Sequence, residues 1–198
     1  MGNQIKRSEQ GGVLQEFKQQ ILTLGELASL LWAIEITNVL FRLNLTSWGI
    51  LPRRWPELWR ILVSPFLHFG FGHLAANTLP FLVLGWLIMV RSMSDFVMAS
   101  IITMLGSGLG VWLFSPTYSV TVGASGVIFG YFGFLLARAW FERSLMAIAI
   151  AAVVMFFYGG LIWGVLPTQV GVSWQAHLFG FLAGIVAARW RTMANLKT

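Results

Sequence analysis

Residues 121–130, Thr-Val-Gly-Ala-Ser-Gly-Val-Ile-Phe-Gly, place one hydroxyl among glycines at the start of a long apolar segment. Taken alone, such a run in a membrane helix most often serves close packing, because glycine lets two backbones approach each other. The run also differs from the Gly-x-Ser-x-Gly elbow of many hydrolases, since Val127 occupies the last position. A chemical role for Ser125 therefore depends on which other polar side chains lie at its depth in the fold.

The composition predicts a membrane protein. Of the 198 residues, 57% are hydrophobic and 10% are charged, which leaves too little polar surface for a soluble globule. The 13 Lys and Arg residues outnumber the 7 Asp and Glu residues but form no continuous basic stripe, so we expect no nucleic-acid partner. The chain has no cysteine, which excludes disulfides and thiolate metal sites. We expect neither a metal nor another cofactor.

Apolar segments separated by charged or proline-containing connections predict an all-α, polytopic bundle of six transmembrane helices. The predicted spans cover approximately residues 21–43, 73–90 with a local break at Pro80, 95–114, 122–140, 145–165 and 173–190. We therefore divide the chain into a short cytoplasmic segment (1–20), a membrane domain (21–190) and a cytoplasmic tail (191–198). Most Lys and Arg residues, including Lys197, then lie on the side of the termini, and the positive-inside rule predicts that both termini are cytoplasmic.

The first predicted span is the most polar one. Glu35, Asn38 and Arg42 fall on one helical face. Because ionised groups at mid-bilayer are costly, we expect these side chains to form a polar seam toward the bundle or the following loop, with a structural role.

All three histidines, and Ser125 with them, map to the outer ends of the predicted spans. These histidines are His68, His73 and His177. Titratable groups inside a membrane are costly unless they are paired or hydrated, so a polar layer of this kind indicates a functional site. A serine nucleophile needs a base within hydrogen-bond reach. Since no carboxylate adjoins a histidine in the sequence, we expect a Ser-His dyad in preference to a triad.

His177 is the predicted base. It lies at the start of the last span, and Gly180 and Gly184 share its helical face. These glycines allow close approach to a neighbouring helix, and the helix that begins near Ser125 has matching small residues such as Gly126. We expect this packing to bring the imidazole toward the hydroxyl.

His73 and Asn77 form an i, i+4 pair at the outer end of the second span. An imidazole, an amide and the backbone N–H of Ser125 at a helix N-terminus are the donors that an oxyanion site requires. Gly123 and Gly126 let a substrate backbone come close. A nucleophile, a base and oxyanion donors at one site together predict acyl transfer as the reaction class. Each residue also has a structural interpretation, because a histidine at a helix end often anchors the membrane interface and an asparagine often joins helices.

Together these residues resemble the rhomboid family of intramembrane serine proteases. The shared motifs are Trp59-Arg60, Phe66-Leu67-His68, His73-Leu74-Ala75-Ala76-Asn77, Gly123-Ala124-Ser125-Gly126, and Ala176-His177 with Gly180 and Gly184. The resemblance implies a six-helix bundle in which Ser125 is the nucleophile, His177 the general base, and His73 and Asn77 the oxyanion donors. It also implies cleavage of the transmembrane segments of other proteins near their outer end, after small residues in easily unwound helices. The compact length resembles the bacterial form, which implies a bacterial plasma membrane.

Two positions depart from the family pattern. Phe129 stands where some members have a tyrosine that stacks on the catalytic histidine, so stacking is retained without the phenol hydroxyl. Phe179 stands where the family often has a small residue, and we expect altered packing around His177. By the same resemblance, we expect the fifth span with Gly159 and Gly160 to form a lateral gate. Because the site must open to the outside for water to reach Ser125, we expect the loop 165–173 to form a lid.

The expected partners are transmembrane protein substrates and the lipid bilayer, and the sequence leaves the oligomeric state open. Three rival functions remain. A catalytically silent rhomboid-like protein would bind membrane helices, and a membrane acyltransferase would use the same nucleophile. A transporter is disfavoured because only Glu26 and Glu35 could supply an acidic relay.

Overall fold

The computed structural model describes residues 2–168 and 171–195. Within these ranges the chain forms seven α-helices and no β-strand, so the predicted all-α fold is confirmed. The helices are α1 (Gly2–Phe41), α2 (Arg60–Val63), α3 (Phe71–Met89), α4 (Met93–Phe114), α5 (Ser125–Glu142), α6 (Leu145–Tyr158) and α7 (Trp174–Asn195). Short 3-10 helices occur at Leu45–Trp48, Trp55–Glu57, Ser64–Phe66 and Gly159–Val165.

Among the residues that the structure describes, four segments are long and apolar enough to cross a bilayer. They are Gly12–Phe41, Phe71–Met89, Met93–Phe114 and Leu145–Val165. Helices α5 and α7 occupy the fourth and sixth predicted spans without meeting that standard, because glycines along these helices and charged residues near their C-terminal ends lower their mean hydropathy. The exact number of spans and the side on which the termini lie stay predictions.

Helix α1 passes through the predicted domain boundary at residue 20 without a break. Its side chains already contact the end of α3 there, since Gln20 Nε2 donates a hydrogen bond to the Met89 carbonyl oxygen over 3.1 Å. The rings of Phe17 and Trp86 meet edge to face, with centroids 6.4 Å apart. The N-terminal segment is thus continuous with the first long helix, while Met1 lies outside the described residues.

The polar seam on α1 forms from two of its three predicted members. The side chain of Glu35 is only 2% exposed, and Asn38 Nδ2 donates to its carboxylate over 3.4 Å. Asn38 Oδ1 accepts from the backbone N–H of Leu45 over 2.9 Å, so the seam faces the following loop. Arg42 is exposed with a positive φ of 51° just beyond the helix end, and the prediction for this residue is wrong.

Proline does not interrupt α3. The helix runs from Phe71 to Met89 with Pro80 inside it, so the predicted local break is wrong. Proline removes one backbone donor, and membrane helices tolerate this where neighbouring helices and hydroxyl side chains satisfy nearby groups. Such a hydroxyl lies two residues earlier, where Thr78 Oγ1 donates to the Leu74 carbonyl oxygen and accepts from Trp32 Nε1.

Glycines bring α5 and α7 into backbone contact. A Cβ atom added to Gly180 would overlap the carbonyl oxygen of Gly126, and one added to Gly184 would overlap that of Gly130. On its other side Gly126 faces Ser107 of α4, whose hydroxyl donates to the Ala176 carbonyl oxygen of α7 over 2.9 Å. Three helices therefore meet closely beside Ser125.

A group of ion pairs joins the opposite end of the same helices. The Asp95 carboxylate is 1% exposed and lies 2.9 Å from Arg138 NH1 and 2.5 Å from Arg191 Nε. Glu142 lies 2.7 Å from Arg138 Nε and 3.2 Å from Arg91 NH2. Buried charges need such partners, since an isolated charge in a low-dielectric interior is strongly unfavourable. The group holds the ends of α4, α5 and α7 together.

Candidate active site

Ser125 is the first residue of α5. The preceding turn is fixed by Gly123, whose φ is +116° and whose N–H donates to the Ser64 carbonyl oxygen over 2.9 Å. A side chain at Gly123 would be strained and would also press on the ring of His73. The first N–H groups of a helix have no intrahelical acceptor, so the N–H of Ser125 is available for an anionic oxygen. The start of α5 lies three residues later than the predicted span.

His177 lies in the first turn of α7 and reaches Ser125. Its Nε2 atom is 3.0 Å from Ser125 Oγ, and its Nδ1 atom is 2.9 Å from the carbonyl oxygen of Gly164. A carbonyl oxygen only accepts, so Nδ1 must carry the proton, and Nε2 then has a lone pair for the serine hydroxyl. The orienting group is therefore a backbone carbonyl and not a carboxylate.

Gly164 is a site residue that the sequence analysis missed. It lies in the 3-10 helix Gly159–Val165, the last part of the predicted fifth span. Every residue has a backbone carbonyl, so the sequence does not indicate which carbonyl oxygen accepts a hydrogen bond from His177. The sequence shows only that residue 164 is a glycine. A Cβ atom at Gly164 would come within 2.6 Å of the Phe129 ring and 3.3 Å of His177 Nδ1.

The two phenylalanines that depart from the family pattern have different surroundings. Phe129 stacks on His177, with ring centroids 3.9 Å apart and planes 5° apart. This contact limits rotation of the imidazole. Phe179 points the other way, where it covers Gly110 and stacks on Phe114 of α4 with centroids 4.8 Å apart. The larger side chain at this position is thus accommodated by α4.

His73 and Asn77 line the other side of Ser125. The backbone N–H of Phe69 donates to His73 Nδ1 over 3.4 Å, so Nε2 carries the ring proton in the neutral form. The Cε1–Nε2 edge of the ring lies next to Gly123, and His73 lines the same cavity as Ser125. Asn77 Nδ2 donates to the His73 carbonyl oxygen over 3.0 Å. An amide has two hydrogens, so one remains for another acceptor.

His68 is part of the polar layer without reaching Ser125. Its ring is 1% exposed and meets the ring of His73 edge to face, with centroids 5.1 Å apart. Within the described residues neither ring nitrogen has a hydrogen-bond partner. Burial, followed by the nearby His73, lowers the pKa of His68 from 6.5 to about 4. The imidazole is therefore neutral at physiological pH and supports His73 by packing.

A cavity of about 810 Å³ contains the predicted dyad and both predicted oxyanion side chains. Its walls come from the loop before α5, the 3-10 helix Gly159–Val165 and the start of α7. This volume falls in the range of about 300 to 1,000 Å³ that is usual for ligand sites. The predicted lid contributes Gly171, Val172 and Ser173 to the wall, while residues 169 and 170 lie outside the described residues.

The rhomboid domain profile matches residues 56–193 of the chain, more than half of its length. The chain belongs to the rhomboid family. The resemblance read from the sequence is thereby confirmed, together with a rhomboid-type helical bundle in an integral membrane protein. The matched region contains every predicted site residue, whereas α1 precedes it.

Several curated proteins are similar to this chain. An uncharacterized protein of Mycobacterium tuberculosis is 41% identical over 174 residues, which cover 84% of the chain and 72% of the relative. RHOMBOID-like protein 4 of Arabidopsis thaliana is 32% identical over 136 residues, 66% of the chain and 33% of the plant protein. YdcA of Bacillus subtilis, whose name provisionally places it among rhomboid proteases, is 29% identical and covers 66% of the chain and 65% of its own length.

Proposed function

We propose that this rhomboid chain is an intramembrane serine endopeptidase that cleaves transmembrane segments of other membrane proteins near their outer end. The observation that carries the proposal is the 3.0 Å contact between His177 Nε2 and Ser125 Oγ inside the large cavity. The Gly164 carbonyl oxygen and the ring of Phe129 hold the imidazole in the orientation that a general base needs.

The reaction follows from this geometry. Ser125 Oγ attacks the carbonyl carbon of the scissile peptide bond while His177 Nε2 takes the hydroxyl proton. The imidazolium keeps its Nδ1–H bond to the Gly164 carbonyl oxygen, which stabilises the positive charge. His177 then returns the proton to the leaving amine, and an acyl-enzyme remains on Ser125. Water, deprotonated by Nε2, hydrolyses this ester and restores the free serine.

Three donors serve the oxyanion of the tetrahedral intermediate. They are the N–H of Ser125 at the start of α5, the Nε2–H of His73 and the second amide hydrogen of Asn77. Donors held in place before the reaction stabilise developing charge at little reorganisation cost, and removal of one typically slows catalysis by about 10²- to 10³-fold.

Substrate helices reach the cavity past α6. Only Ala147 and Val154 of α6 are buried, and the exposed rings of Phe156, Phe157 and Trp163 face the surroundings of the bundle. The helix changes to 3-10 geometry at Gly159, and Gly160, Leu161 and Trp163 form part of the cavity wall. A weakly held segment beside the site is a suitable gate, since elements that move in function bury few contacts.

The proposed location is a bacterial plasma membrane, crossed six times, with both termini in the cytoplasm. The ion pairs of Arg91, Arg138 and Arg191 all lie at the end of the bundle away from Ser125. By the positive-inside rule this end is cytoplasmic, and the cavity then opens near the outer face.

The test is cleavage of a reporter protein that carries a transmembrane segment, together with labelling by a fluorophosphonate serine probe. Wild type should cleave and label, whereas Ser125→Ala and His177→Ala should lose both. Cleavage by Ser125→Ala at the wild-type rate would overturn the proposal. Labelling of wild type without cleavage of any helix would favour the acyltransferase, and neither activity would favour the silent helix binder.

A further inference from the structure

The cavity continues beyond the proposed dyad to a second polar end. This end is formed by the turn after α4 and the start of α7, where Ser115, Ser119 and Gln175 line the wall. The hydroxyl of Ser115 is buried and has no hydrogen-bond partner within the described residues. Nothing in the proposed reaction at Ser125 uses these side chains.

Gln175 is the most distinctive of them. The residue as a whole is only 7% exposed, and it lies on the cavity wall. An amide has two donor hydrogens and an acceptor oxygen, and burial without partners is unfavourable. The Gln175 amide on the cavity wall, together with the buried, unpaired hydroxyl of Ser115 at the same end, therefore points to a ligand that supplies hydrogen-bond partners.

The position of Gln175 separates it from the proposed chemistry. It precedes His177 by two residues, a rotation of about 200° around α7, so the two side chains leave opposite faces of the helix. Gln175 shares its face with Phe179, four residues later, whose ring stacks on Phe114 next to Ser115. The amide thus lies at the junction of α4 and α7, while His177 faces α5.

We propose that Gln175 is a substrate-binding residue that holds the unwound segment of the substrate beside the bond to be cleaved. This inference rests on the proposed endopeptidase function. A helix that unwinds in the cavity exposes peptide N–H and C=O groups that need new partners. A primary amide offers a donor and an acceptor together, which matches a peptide group or the polar side chain of Ser, Thr, Asn or Gln.

The test compares Gln175→Met with wild type in two assays on the same preparation. Methionine keeps the length and flexibility of the side chain but loses its hydrogen bonds. The reporter substrate spans both ends of the cavity, whereas a small fluorophosphonate probe reports on Ser125 alone. We expect the ratio of reporter cleavage kcat/KM to probe labelling rate to fall by about 3- to 10-fold, the usual effect of losing one such hydrogen bond.

Gln20→Met is the matched control. Gln20 also has a partly buried amide, but it bonds the Met89 carbonyl oxygen at the far end of α3. We expect this variant to leave the ratio unchanged. An unchanged ratio for Gln175→Met would overturn the inference while wild-type cleavage still upheld the protease. Absence of wild-type cleavage would overturn both.

A substrate panel identifies the group that Gln175 binds. In each member one polar side chain near the cleaved bond is replaced by alanine. If Gln175 binds the peptide main chain, Gln175→Met lowers kcat/KM equally for every member. If it binds one side chain, the effect disappears for the substrate that lacks that side chain. If Gln175→Met increased kcat/KM for every member, Gln175 would bind neither the main chain nor a side chain of the substrate.

Discussion

The contact between α5 and α7 gives the sharpest test of how the fold positions the proposed dyad. In Gly180→Ala the added Cβ atom meets the Gly126 carbonyl oxygen, a backbone atom that cannot rotate away. Relief of this overlap requires a shift of about 1 Å between the helices, and such misplacement can slow an enzyme by about 10²-fold. His177 lies one turn before Gly180, so the shift lengthens the 3.0 Å contact to Ser125 Oγ.

The measurement is the rate of fluorophosphonate labelling, together with the midpoint of thermal unfolding in the same detergent. We expect Gly180→Ala to label about 100-fold more slowly and to lose about 1 to 3 kcal/mol of stability, the usual cost of overpacking. Gly184→Ala provides a comparison, because its Cβ atom meets the Gly130 carbonyl oxygen one turn farther from the site. It should lose similar stability and label faster than Gly180→Ala.

Gly25→Ala is the control for the loss of a glycine as such. A Cβ atom at Gly25 in α1 meets nothing within 4 Å, and alanine favours a helix by about 0.5 to 1 kcal/mol relative to glycine. This variant should keep the wild-type labelling rate and unfold at the same or a higher temperature. Wild-type labelling and stability in Gly180→Ala would refute the idea that backbone contact places His177.

Two further predictions concern stability. Asp95→Ala leaves Arg138 and Arg191 without their shared carboxylate, so the free energy of unfolding should fall by about 3 to 5 kcal/mol. An unchanged midpoint of thermal unfolding would contradict the idea that these ion pairs hold the helix ends together. The pKa of His68 in the folded protein is about 4, below its usual 6.5. Between pH 4 and 6.5 the unfolded chain therefore binds more protons than the folded protein. The free energy of unfolding should fall by about 3 kcal/mol as the pH drops from 6.5 to 4. His68→Phe should remove this part of the pH dependence of thermal unfolding, and an identical dependence in both proteins would show that His68 is not its source.

The long helices were largely predictable because each coincides with a continuous run of apolar residues. Apolar runs ended by charged residues located α3, α4 and α5 to within three residues at each end, and they located the starts of α6 and α7 to within one residue. Errors arose where one element depends on another. Pro80 lies inside a continuous helix. Arg42 follows the end of α1, and its i, i+7 spacing from Glu35 does not show where that helix ends.

The candidate site was predictable for a related reason. Glycines at i+3 and i+7 from His177, small residues after Ser125, and an i, i+4 pair of His73 and Asn77 are all visible within single helices. A shared depth in the membrane then suggested that these side chains meet. The structure brings them to one cavity.

Hydropathy and helical periodicity are properties of neighbouring residues, so they already indicate that the chain lies in a bilayer, that it is helical and which side chains are available for chemistry. The packing of the helices sets three features that this local information does not show: Gly164 supplies a carbonyl oxygen to His177, Phe179 points into α4, and Gln175 lies on the cavity wall. These features depend on distances between helices that are far apart in the chain. Such distances follow from how closely the helices pack, and no pattern within one helix encodes them.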